Sequence, residues 1–285
     1  MPDMKLYTIY YDDRTRAQVT PPFLPLDNSD GPAEWFEFHP ILRFIEENTL
    51  QPDCWYGFFS PKFPAKADSS VDEMTMILDA NPDAEVALFS PFWHELVTFR
   101  NVWLQGEHFH PGLIACTEAF LLARGERADL RAEIGDFTCS VFSNYIVARP
   151  RFWLAWRDLA RAYLDHLQNT ADPLPDLAPA AHEGPAQYQM KVFVQERLAC
   201  WLLAHGDFRV VHAPYHRKPI ALIPDDDPAT ALRALLRAAD TMKRLARRQR
   251  LPGALAGWRL LAWLAERVRN RKLKRLARRA AGTLP

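Results

Sequence analysis

An acid and a base lie side by side in an apolar run. In YQMKVFVQERLACWLLAH (188–205), Gln195, Glu196 and Arg197 are flanked by Val, Phe, Leu and Trp. Charged side chains are seldom buried without partners, so Glu196 needs an ion pair or a job. Adjacent helix residues do not face each other, which disfavours Glu196–Arg197 pairing and leaves Arg149 as the partner across the fold. The job open to such a carboxylate is general-base chemistry, taking the proton of an attacking hydroxyl.

Other groups could serve the same reaction. Asp12 and Asp13 directly follow an apolar strand pattern, where a nucleotide base or ribose often sits in such sheets; a turn acid is the alternative. Lys62 follows CWYGFF and could neutralise a phosphate where a sheet opens its ligand crevice, or be a surface lysine. Asn144, beside Ser143 in SVFSNYIVA, could reach a ligand's hydroxyls or bond only to backbone. Asp27 and Asn28 stand in PPFLPLDNSDGP (21–32), a long loop that faces the same pocket. In QGEHFHPG (105–112), Glu107, His108 and His110 form a hydrogen-bonding cluster for donor or acceptor hydroxyls; a metal site on this His-x-His, and with it a metal hydrolase, is the remote alternative. Asp225-Asp226-Asp227 has Asp-x-Asp spacing but follows the last strand and reads as a solvated linker, so a Mn or Mg ion is possible without a convincing ligand motif. The sequence has no Gly-rich phosphate loop, GxSxG or zinc spacing. Cys54, Cys116, Cys139 and Cys200 are too scattered for a disulfide frame and read as reduced, mostly buried thiols.

Strands are expected at 5–11, 54–63, 84–92, 140–148 and 208–215, and helices at 34–48, 69–81, 110–125, 152–167 and 187–206. This alternation predicts an α/β domain with a largely parallel sheet. Ser69 or Ser70 opens the helix at 69–81, and a Gly closes the one at 110–125. The stretch 171–186 is read as a loop.

The chain of 285 residues has zero formal net charge, yet sixteen of its 35 Lys and Arg lie in 229–285 beside only Asp240 and Glu266. A body at 1–228 and a basic tail at 229–285 follow from that asymmetry. The tail reads as two amphipathic helices broken at Pro252-Gly253, with Leu232, Leu235, Leu236, Ala239, Met242 and Leu245 lining one side of the first and Leu255, Trp258, Leu261, Leu264 and Val268 one side of the second. Such a pair, carrying Trp258 and Trp263, suits an anionic membrane face; docking on the acidic body is the alternative, and nucleic acid the least favoured partner. No apolar run is long enough to span a bilayer, and the N-terminus is too short and acidic for a signal peptide. The expected location is cytoplasmic, peripheral at the inner face of the membrane.

Taken together, YGFFSPKF, SVFSNYIVARPRFW and VFVQERLACWLL resemble the DUF4422-like glycosyltransferases of bacterial polysaccharide clusters. The match runs through Tyr56, Gly57, Lys62 and Phe63, then Asn144, Ile146, Arg149, Phe152 and Trp156, then Phe193, Glu196, Arg197, Leu198, Trp201 and Leu202. The resemblance covers roughly 50–215. It implies a GT-A-type, Rossmann-like nucleotide-sugar domain that transfers a sugar to a cell-surface polysaccharide or lipid-linked glycan. On that reading Glu196 is the base, Lys62 and Arg149 assist the diphosphate, and Arg197 joins the donor contacts. A non-catalytic glycan-assembly adaptor keeping the same fold is the rival.

Overall fold

The computed structural model describes residues 2–169, 175–180, 188–223 and 229–281. Asp225-Asp226-Asp227 and much of the 171–186 stretch lie outside these residues. Contacts divide the chain into two compact units.

The first unit takes Met1–Pro91, Val102–Glu133 and Phe137–Ala213. Its sheet holds β1 (Met4–Tyr10), β2 (Leu24–Asp27), β3 (Trp55–Phe59), β4 (Val86–Leu88), β5 (Ile146–Ala148) and β8 (Val210–His212), in the order β2-β1-β3-β5-β4-β8. Neighbours pair in parallel except β5, which runs antiparallel to β3 and β4. The alternation of strands and helices thus gives a mixed α/β unit with a mostly parallel six-stranded sheet flanked by helices, compatible with a Rossmann-like fold. β3, β4 and β5 are buried along their whole length, as unbroken apolar strands covered on both faces should be. A Cβ on Gly57 would sit 2.9 Å from Phe59 and 3.0 Å from both Leu6 and Val147. Gly57→Ala is therefore expected to lower stability by about 1–2 kcal/mol through overpacking, read from the urea midpoint.

The helices of this unit are α1 (Asp13–Arg16), α2 (Phe38–Glu47), α3 (Phe63–Ala67), α4 (Val71–Asp79), α6 (Val102–Phe109), α7 (Leu113–Ala123), α8 (Pro150–Asn169), α9 (Met190–Gln195) and α10 (Leu198–His205). α8 packs on α2 and α10, and α7 on α6 and α9. β6 (Pro179–Ala180) and β7 (Tyr188–Gln189) pair as a small ribbon. Ser70 caps α4 by accepting the N–H of Glu73 at 3.1 Å, and Gly125 follows α7 at φ +81°. All four cysteines are buried free thiols; burial pushes Cys116 and Cys200 up to about 12.

Besides the short helices α1, α3 and α6, which the sequence reading did not expect, three segments differ from it most. The 21–32 segment is not wholly irregular, because Leu24–Asp27 pairs with β1 at the sheet edge, the place where a strand tolerates proline. The strand expected over 140–148 shrinks to Ile146–Ala148, because Ser143 (φ 59°) and Asn144 (φ 51°) are left-handed. The helix expected over 187–206 breaks at Glu196-Arg197. There the Arg197 guanidinium donates to the Phe193 carbonyl at 2.8 Å, the acceptor an unbroken helix would offer to the Arg197 N–H.

The second unit takes Phe92–Asn101, Ile134–Asp136 and Pro214–Pro285. It contains α5 (Trp93–Thr98), unforeseen from the sequence, with α11 (Thr230–Arg248) and α12 (Ala254–Ala280). The two tail helices pack on each other and on α5. Leu232, Leu236 and Ala239 of α11 are buried, as are Ala254, Trp258, Ala262 and Ala265 of α12. Trp258 donates its indole N–H to the Val97 carbonyl at 2.8 Å, so it is a packing residue and is withdrawn from the membrane face expected of the tail. Lys243 is buried too, donating to the carbonyls of Leu96 and, at 2.6 Å, Phe99. A cation there satisfies carbonyls at the end of α5 and complements its dipole.

Candidate active site

In open α/β sheets ligands bind outside the carboxyl ends of the strands, where the strand order reverses. Here β2 lies on one side of β1 and β3 on the other, so the reversal falls between β1 and β3. Tyr11 to Asp13 leave the carboxyl end of β1, and Ser60 to Phe63 leave that of β3. Because β5 is reversed, its first residues meet the same edge. The hydroxyls of Ser60 and Tyr145 share a hydrogen bond of 3.0 Å, and Phe89 donates its N–H to the Tyr145 carbonyl at 2.9 Å.

Glu196 reaches this edge from the turn between α9 and α10. Its side chain keeps 44 % of its surface accessible, and Oε2 lies 3.9 Å from Arg197 Nη1, so its ion-pair partner is its sequence neighbour and not Arg149; desolvation raises its pKa, with Arg197 and Lys66 opposing. A second carboxylate lies near it. Glu37, the residue preceding α2, has its pKa raised first by desolvation and then by repulsion from Glu196, against Lys66 and Lys62. That repulsion acts between the two charges in both directions.

Two phenols border the pair. Burial first, then the charge of Glu37, raises Tyr11. Its hydroxyl has no partner at hydrogen-bonding geometry among the described residues, so the interaction with Glu37 is electrostatic. Burial also raises Tyr145, and both Glu37 and Glu196 add to it while Ser60 opposes. Asn144 Oδ1, on the strained turn before β5, and Gln195 Oε1, beside Glu196, are likewise buried without partners among the described residues. Left-handed non-glycine residues and orphaned polar atoms of this kind concentrate at functional sites. Lys62 and Lys66, both exposed, supply positive charge to Glu37.

The residues proposed from the sequence separate into three groups. Glu196, Lys62 and Asn144 belong to this edge. Asp12, Asp13, Asp27 and Asn28 follow β1 and β2 at the same end of the sheet, but several are engaged in their own turns. Asp12 caps α1, accepting the Thr15 N–H at 2.7 Å, and Thr15 holds it below the usual carboxylate range. Asp13 is the first, exposed residue of α1. Asp27 accepts the Ser29 N–H at 2.9 Å and its hydroxyl at 2.7 Å, which brings it down to about 2. Asn28 is buried with His39 Nδ1 3.2 Å from its carbonyl oxygen.

The remaining five have other contacts. Arg149 follows the carboxyl end of the reversed β5, at the amino edge of β3 and β4. There it donates to the Asp53 carbonyl and lies 4.5 Å over the Trp55 ring. It therefore faces neither a diphosphate at the crevice nor Glu196. Arg197 is buried, donating to the carbonyls of Val102 at 3.1 Å and Phe193 at 2.8 Å and to Gln105 Oε1 at 2.8 Å. It anchors the α9–α10 turn on α6 rather than binding donor. Gly106 allows this: a Cβ there would come 2.7 Å from Arg197 Nε. Gly106→Ala is expected to cost about 2 kcal/mol by displacing these charged hydrogen bonds, measured as a drop in melting temperature.

Glu107, His108 and His110 do not converge. Glu107 accepts the N–H groups of Gly112 at 3.2 Å and Ile114 at 2.9 Å and pairs with Arg131 at 2.9 Å. It caps the start of α7. His110 is buried and stacked 3.4 Å from the Phe193 ring, while His108 is exposed. Among the described residues no group of three His, Cys, Asp or Glu could hold a metal ion.

Glu37, Tyr11, Ser60, Tyr145 and Lys66 were not singled out in the sequence. Glu37 carries the signal that marked Glu196, a lone acid between Phe36 and Phe38. Comparison with known proteins found no matching family model, curated relative or solved structure.

Proposed function

We propose that the chain is a GT-A-type glycosyltransferase, with its donor at the β1/β3 edge and Glu196 as general base. The observation that carries this reading is the pair Glu37–Glu196, two neighbouring carboxylates whose pKa values desolvation raises, beside the strand-order reversal. A carboxylate whose pKa is raised toward neutrality is a better proton acceptor near the working pH. An acceptor hydroxyl would attack the anomeric carbon of a nucleotide sugar. As its oxygen forms the new bond, Glu196 takes its proton, and the carbon–oxygen bond to the donor phosphate breaks with its electron pair leaving on the phosphate. Lys62 and Lys66 would neutralise that developing charge. The orphaned Asn144 and Gln195 oxygens would accept from sugar hydroxyls. The acceptor is taken to be a polysaccharide or lipid-linked glycan.

The test is release of nucleotide from UDP-, GDP-, dTDP- and CMP-linked sugars in the presence of glycan acceptors. One nucleotide class should turn over, more slowly as pH falls through the raised carboxylate pKa, because protonated Glu196 cannot accept. Turnover of none, with acceptors of both kinds supplied, would favour a non-catalytic adaptor.

A further inference from the structure

We propose that the outer stripe of α12 docks the chain on an anionic lipid bilayer. Leu260, Trp263, Arg267, Arg271, Lys274 and Arg278 follow one another at steps of three and four, which places them on one face of the helix. All six are exposed. The opposite face is filled by Ala254, Trp258, Ala262 and Ala265, so packing of the unit does not require the outer stripe.

The stripe is ordered along the helix. Its first part is apolar, with Leu260 58 % and Trp263 52 % exposed, and its second part is cationic. Arg267 joins the two, its guanidinium 4.6 Å over the Trp263 ring. Single exposed apolar residues are ordinary. A Leu and a Trp one turn apart, continuing into a line of cations, match the two layers of a bilayer surface. Trp and Leu enter the headgroup–acyl boundary while the cations meet anionic headgroups. Nucleic acid would satisfy the cations and could stack on Trp263, but it offers nothing to Leu260. That asymmetry decides for lipid. Among the described residues no helix is long and apolar enough to cross a membrane, so α12 lies on the surface. This docking stands on α12 alone and does not depend on what the crevice turns over.

Flotation of the full chain with vesicles tests it, using phosphatidylcholine alone or mixed with phosphatidylglycerol. The wild type should float with the mixed vesicles, weaken with added salt and ignore phosphatidylcholine alone. Leu260→Ala with Trp263→Ala should lower partitioning about tenfold or more with an unchanged circular dichroism spectrum. Arg271→Glu with Lys274→Glu should abolish the phosphatidylglycerol dependence. The proposal is overturned if the chain does not float, if neither double variant alters flotation, or if it binds single-stranded RNA while ignoring vesicles. Loss of flotation with intact sugar transfer would contradict only the docking, and the reverse result only the transferase reading.

Discussion

Glu196→Gln should lower sugar transfer by about two to four orders of magnitude, the usual contribution of a positioned general base. The fold should survive. Relative to the wild type, the variant should even be more stable at neutral pH, and the sign follows from the raised pKa. A carboxyl whose folded pKa lies above its unfolded value holds more protons when folded, so stability falls as pH rises through that window. Gln carries no charge to desolvate, so its advantage should shrink to nothing on acidification below the unfolded glutamate pKa. A chain that loses turnover while gaining thermal stability behaves as an active-site residue predicts. Glu37→Gln makes a sharper companion. With one charge of the pair removed, Glu196 ionises more easily, so the acidic limb of the pH–rate profile should move to lower pH. A rate loss without that movement would make Glu37 a packing residue only.

The second large effect belongs to the Pro214–Pro285 unit. His94 on α5 is fully buried, and neither ring nitrogen has a hydrogen-bond partner among the described residues. Desolvation, aided by Arg269, lowers its pKa to about 3; Glu95, 3.9 Å away, is the nearby acid. The unfolded chain therefore takes up a proton at a pH where the folded chain does not. The resulting stability is fully present above the unfolded histidine pKa and is lost as pH falls toward the folded one. Between pH about 6.5 and about 4 the loss should reach about 3 kcal/mol, at 1.36 kcal/mol for each unit. Urea midpoints taken across that range should show the slope, and His94→Leu should flatten it. An equal slope in the variant would assign the acid sensitivity elsewhere.

Much of this architecture was legible in the chain. Strand and helix signals alternate because several strands are short apolar runs stopped by Ser-Pro or Asp, as at Phe59-Ser60-Pro61 and Tyr10 to Asp13. Glu196 was legible as a charge among apolar neighbours. What escaped depends on direction and pairing, which composition does not carry. Arg149 sits near Asn144 in sequence, but the reversal of β5 carries it to the far edge of the sheet. Arg197 turns inward because Gly106 leaves space for its guanidinium. β2 escaped because its Pro25 is tolerated at an edge, and edge position is a property of the assembled sheet. Glu37 was hidden because it lies inside the helix expected over 34–48, and it comes near Glu196 only after folding.

Binding of nucleotide sugars to the wild-type chain tests the central claim most directly, since it needs no acceptor. Thermal unfolding is followed with UDP-, GDP-, dTDP- and CMP-linked sugars, with and without Mn²⁺. A ligand held by the folded state alone at a hundred times its dissociation constant adds about 2.7 kcal/mol. The account predicts a clear rise in melting temperature with one nucleotide class, reduced in a Lys62→Ala, Lys66→Ala chain. No rise with any of the four, in a chain that unfolds cooperatively, would contradict it.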